Sequence, residues 1–71
     1  MLQDRKVAAH EVDIEGNIES MHVVVLRNGY VIEIYPLNGE PENTEWLGGK
    51  IEIKKDENGL FVAFKNNRRI E

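Results

Sequence analysis

The 71 residues include no cysteine. That excludes disulfide staples, thiolate zinc sites and a thiol nucleophile. Proline is nearly absent too. Both prolines fall within Pro36-Leu37-Asn38-Gly39-Glu40-Pro41-Glu42-Asn43, the one long loop signal. The single serine, Ser20, has no Gly-x-Ser-x-Gly setting around it. Gly48-Gly49-Lys50 lacks the spacing of a phosphate-binding loop, and neither an EF-hand nor a His-Glu-x-x-His helix occurs. No metal or cofactor is expected, and catalysis is disfavoured. The longest apolar run, Val23-Val24-Val25-Leu26, is far too short to span a bilayer. No apolar segment follows Met1 to Lys6, so no signal peptide and a cytoplasmic location are expected.

What is present fits a globular chain: 41% apolar and 31% charged residues. One domain over 1–71 is the expectation. A domain this small buries only about 60% of the surface its unfolded chain exposes. With no covalent staple it must rely on a tight core or on a partner chain. The net charge of -4 disfavours a nucleic-acid or anionic-membrane partner. Residues 1–49 carry nine acidic and three basic residues, whereas residues 50–71 carry four acidic and six basic.

The apolar pattern predicts an all-β fold, an antiparallel meander of about five strands forming a curled sheet or open barrel. Asn28-Gly29 predicts a two-residue hairpin turn, because both central residues of a type I′ turn need positive φ. Pairing Arg27 with Tyr30 sets Val23, Val25, Ile32 and Ile34 on one inward face. Gly16-Asn17 predicts a second turn, with Glu15 opposite Ile18, and adds Ala8, Val12 and Ile14 to that face. A third turn at Asn58-Gly59 faces Ile51 and Ile53 toward Leu60, Val62 and Phe64, with Phe61 and Ala63 outside. A four-residue loop there would keep the same faces. Residues 43–47 read as a short helical turn or a strand, with Trp46 plugging the core edge. Residues 66–71 read as a flexible tail.

The opposite face of the first three strands carries Val7, Ala9, Val24, Leu26, Val31, Tyr35 and Leu37. A solvent face should be more polar than this, and an exposed apolar patch marks an interface. The expected role is therefore a small non-enzymatic interaction or structural module that self-associates through that face, most simply as a homodimer. Two alternatives stand beside it. A nucleic-acid-binding β module would use Phe61, Lys50, Lys54, Lys55, Arg68 and Arg69. A small acid–base or metal site would gather Glu11, His22, Glu33 and Tyr35, which the expected register sets side by side. His10, on the expected core face, reads as a hydrogen-bonded histidine rather than a ligand.

Overall fold

A computed structural model describes residues 4–39 and 43–71. Seven strands form one sheet, and the described residues contain no helix. They are β1 (Arg5–Ile14), β2 (Asn17–Arg27), β3 (Tyr30–Pro36), β4 (Thr44–Trp46), β5 (Lys50–Lys55), β6 (Phe61–Lys65) and β7 (Arg68–Ile70). The sheet order is β3-β2-β1-β5-β6-β7, with β4 also on β1. The all-β reading holds. The sheet is curled and not closed, but it is mixed rather than purely antiparallel, because β4 and β5 both run parallel to β1.

Three hairpins turn on two residues that both have positive φ: Glu15-Gly16, Asn28-Gly29 and Asn66-Asn67. The Asn28-Gly29 turn lies where its chemistry predicts, with Arg27 opposite Tyr30. The first turn sits one residue earlier than expected, with Ile14 opposite Asn17. Asp13 Oδ1 accepts the Gly16 N–H at 2.8 Å, which holds the turn there. The third makes a strand of the expected tail: β7 pairs with β6, and Ile70 is buried.

Three local irregularities decide which side chains reach the core. The β2–β3 register shifts between Val25 and Leu26, so Leu26 faces Val31 but Val24 faces Ile34. Ile32 is the extra residue of this bulge and is left 46% exposed. In β1 and β2 the ladder skips the His10/Met21 pair, and Met21 has φ 54°. The core residues of β1 accordingly switch from Val7 and Ala9 to Val12. In the β5–β6 hairpin, Asp56 Oδ1 accepts the N–H groups of Asn58 and Leu60 at 2.8 and 3.0 Å. The wider loop this supports pairs Ile53 with Ala63.

The faces are exchanged only in part relative to expectation: Val12, Ile51 and Ile53 are core and Ile34 packs on it as expected, whereas Val7, Ala9, Val24, Leu26 and Ala63, expected outside, join them. The core is Val7, Ala9, Val12, Val24, Leu26, Ile51, Ile53, Ala63 and Ile70, with Val31, Ile34 and Phe61 packed against it. Ala8, Val23 and Val25 lie outside that cluster yet are also buried. The middle of β1 and β2 is thus covered on both sides. Residues 43–47 form a strand instead of a helical turn, and Trp46 is 50% exposed rather than plugging the core. The predicted loop falls partly on residues 40–42, outside the described residues.

β4 and β5 lie end to end along one side of β1. Lys6–Ala8 pair with Thr44–Trp46, and Glu11–Ile14 pair with Lys50–Ile53. Between them the chain breaks at Gly48 and Gly49, whose φ values of +69° and +61° glycine adopts most easily. The radius of gyration is 11.2 Å, close to the ~11 Å expected of one compact chain of this length.

Candidate functional site

The break between β4 and β5 builds the first candidate site. Gly49 turns out of the ladder, and its N–H donates instead to His10 Nδ1 at 3.2 Å. A backbone donor can point at that nitrogen only if it carries no hydrogen, so the His10 proton sits on Nε2. Trp46 then meets His10 edge-on, with ring centroids 4.8 Å apart and planes at 79°. A Cβ on Gly48 would stand in ordinary contact with this pair, 3.6 Å from Trp46 Nε1. Met21, which the ladder leaves without a partner across from His10, is 41% exposed. An exposed tryptophan and histidine thus meet where β1 changes neighbour, with exposed Met21 on the adjoining strand β2. Trp and Met suit adaptable, desolvating contact with another surface.

The second candidate is an open cleft of about 400 Å³ beside the Asn66-Asn67 turn. Arg5, Lys65, Arg68 and Arg69 line it, with Leu47 and Ile70 as apolar wall. Arg5 is clamped by the Glu45 carboxylate at 2.9 and 3.2 Å, and its Nη1 donates to the Glu71 main-chain oxygen at 2.7 Å. That pairing raises the Arg5 pKa further and holds the Glu45 carboxyl below its ordinary range. Arg69 Nη2 donates to the Gly29 carbonyl at 3.1 Å, and its guanidinium lies 5.1 Å from the Tyr30 ring centre. This contact ties β7 to the β2–β3 turn and holds the curl of the sheet.

The residues singled out from sequence are redistributed. Val7, Ala9, Val24 and Leu26, expected on an outer interface, are core residues with at most 1% exposure. Val31 packs against the same core. Tyr35, moved by the bulge, stands opposite Val23, and Leu37 donates its N–H to the Met21 carbonyl at 2.8 Å.

The polar cluster is not assembled. Glu11 faces Ser20 and Lys50, His22 faces Ala9 and Pro36, and Glu33 faces Val25. His22 Nδ1 donates to the Ser20 carbonyl at 3.0 Å. Among the described residues no group of three or more His, Asp or Glu is placed to hold a metal.

The expected nucleic-acid set is split as well. Phe61 packs on the core beneath the Lys55 ammonium, 5.5 Å from the ring centre. Lys54 lies over Phe64 and beside Glu52. Of that set, only Arg68 and Arg69 reach the cleft.

Sequence reasoning missed Met21, Lys65 and Arg5; His10 is hydrogen-bonded as expected, but exposed rather than on the core face. The Gly-Gly pair signalled an interruption, but nothing near it in sequence named the histidine that fills it. Among the described residues no helix is long and apolar enough to cross a membrane. Set against models of known protein families, curated proteins and solved structures, the chain matches none.

Proposed function

We propose that this chain is a small non-enzymatic binding module that associates with a second copy of itself, and that Trp46, His10 and Met21 make the contact. Trp46 carries the proposal. Small domains use their large aromatics to fill the core, yet this one stands half exposed on a three-residue strand with its ring steadied by His10. A rigid, exposed Trp is the residue type that dominates association energies. The sheet edge offers a poorer route, because β3 carries a bulge, Glu33 and Pro36, all of which discourage strand addition. A two-fold pairing is the commonest way for a soluble chain to cover such a corner.

Trp46 is the sole tryptophan, so its emission reports directly on the contact. Across a micromolar concentration series, sedimentation should show monomer giving way to dimer while the emission shifts to the blue. Trp46→Ala should remain folded and sediment as monomer throughout. A native chain that stays monomeric with unshifted emission at the highest concentration rejects the proposal.

A further inference from the structure

We infer that the cleft beside the Asn66-Asn67 turn is a binding site for a small organic oxyanion, with a phosphate monoester as its chemical type. The inference does not depend on self-association.

Four of the chain's nine basic residues line this one cleft, in a protein of net charge -4. Glu71 is the only acidic residue among the lining. The four cations are not equivalent. Arg5 and Arg69 are already held, by Glu45 and the Glu71 main-chain oxygen in one case and by Gly29 and Tyr30 in the other. The Arg5 charge is offset by Glu45, so of the two it is Arg69 that supplies an oriented positive field, without further loss of side-chain freedom.

Lys65 and Arg68 differ. They face each other directly across the β6–β7 hairpin. Neither side chain has a hydrogen bond or ion pair among the described residues. Like charges directly opposite on a sheet are destabilising. An anion placed between them removes that repulsion and receives a point charge from Lys65 and a planar fork from Arg68.

The apolar wall narrows the ligand class. Leu47 packs on the core, and Ile70 is 8% exposed. The cleft of about 400 Å³ lies within the ~300–1,000 Å³ usual for small-molecule sites. Inorganic phosphate would leave most of it unfilled. A phosphate carrying a ring or short apolar body fits both halves, with the charge at Lys65 and Arg68 and the body against Leu47 and Ile70.

The test is an amide-shift NMR titration of the full chain at low salt, with phenyl phosphate as probe. Saturable shifts should appear at 65–71, Arg5 and Leu47, at lower concentration than for inorganic phosphate. Lys65→Gln and Arg68→Gln should each weaken phenyl phosphate binding about tenfold. Lys54→Gln, outside the cleft, should leave it unchanged. Non-saturating shifts spread over all the lysines, or binding untouched by the Lys65→Gln/Arg68→Gln double substitution, would overturn the site. Inorganic phosphate binding as tightly as phenyl phosphate overturns the assignment to an organic ligand. A response to oligothymidylate but not to phenyl phosphate likewise rejects the small-molecule site, in favour of a nucleic-acid surface.

Discussion

Met21 holds a backbone conformation that side chains with a Cβ seldom adopt, at a cost on the order of 1–2 kcal/mol. Its carbonyl is held by the Leu37 N–H, and its neighbours across the ladder change face at this point. A β-branched side chain there is more strained still. Met21→Val should therefore lower stability by about 1 kcal/mol or more in urea unfolding, while Met21→Gly should be neutral or stabilising. Nothing in Ser20-Met21-His22 advertises this geometry, because a left-handed residue inside a strand is imposed by distant packing. Ile32 teaches the same lesson from the other side. Its alternation marked it as core, but the bulge gives β3 one extra residue and turns Ile32 to solvent. The cleft's Lys65 and Arg68 were individually visible, yet their opposition depends on a turn that the sequence reading did not recognise.

Among the elements, β7 is as short as β4, three residues, and carries the most consequence per residue. Its Arg69 bridges to Gly29 and Tyr30 at the far margin of the curled sheet. Arg69→Ala removes a charge-assisted hydrogen bond and a cation–π contact, together about 2 kcal/mol. Faster amide exchange in 68–70 and at the Asn28-Gly29 turn should accompany that loss. Asn66-Asn67 has turn chemistry akin to Asn28-Gly29, but one is followed by an apolar strand and the other by Arg68-Arg69, which reads as solvated tail. β4 escaped recognition for a different reason. A three-residue strand has too little periodicity, and its partner Lys6–Ala8 is remote in sequence.

Two exposed ion pairs anchor this region: Arg5 with Glu45, between β1 and β4, and Arg27 with Asp4. Hydrogen bonding to the guanidinium lowers the pKa of each carboxyl, Glu45 through Arg5 and Asp4 through Arg27. A carboxyl with a depressed folded-state pKa stabilises the fold above its unfolded value and loses that contribution as pH falls through the folded one. Stability should thus decline as pH drops through and below the ordinary carboxylate range. Glu45→Gln should flatten that decline when urea midpoints are plotted against pH, and salt should mute it in the native chain.

At the scale of the whole molecule, a few aliphatic side chains supply the core, and each weighs heavily. Leu26 is 1% exposed at the centre of it. Leu26→Ala should cost about 2–5 kcal/mol. A domain of this size rarely holds more than about 3–5 kcal/mol in total. A circular-dichroism melt should therefore find the variant at or near unfolding at room temperature. The overall class and the Asn28-Gly29 hairpin were legible, because hairpin turns and alternation are local signals. Which face is inside was legible only in part, because the extra residue at Ile32, the left-handed Met21 and the wider Asp56 loop each redirect side chains without a local sequence signal.

The parallel pairing of β1 with β5 also shapes how the molecule comes to exist. Glu11 and Lys50 are neighbours in space but about forty positions apart in the chain. Contacts of such separation close late and slowly. A ribosome releases β1, β2 and β3 first, and those hairpins assemble at once from adjacent segments. Val24 and Leu26 must then wait, wetted, until Ile51, Ala63 and Ile70 have emerged to cover them. The nascent chain is most prone to sticking in that interval.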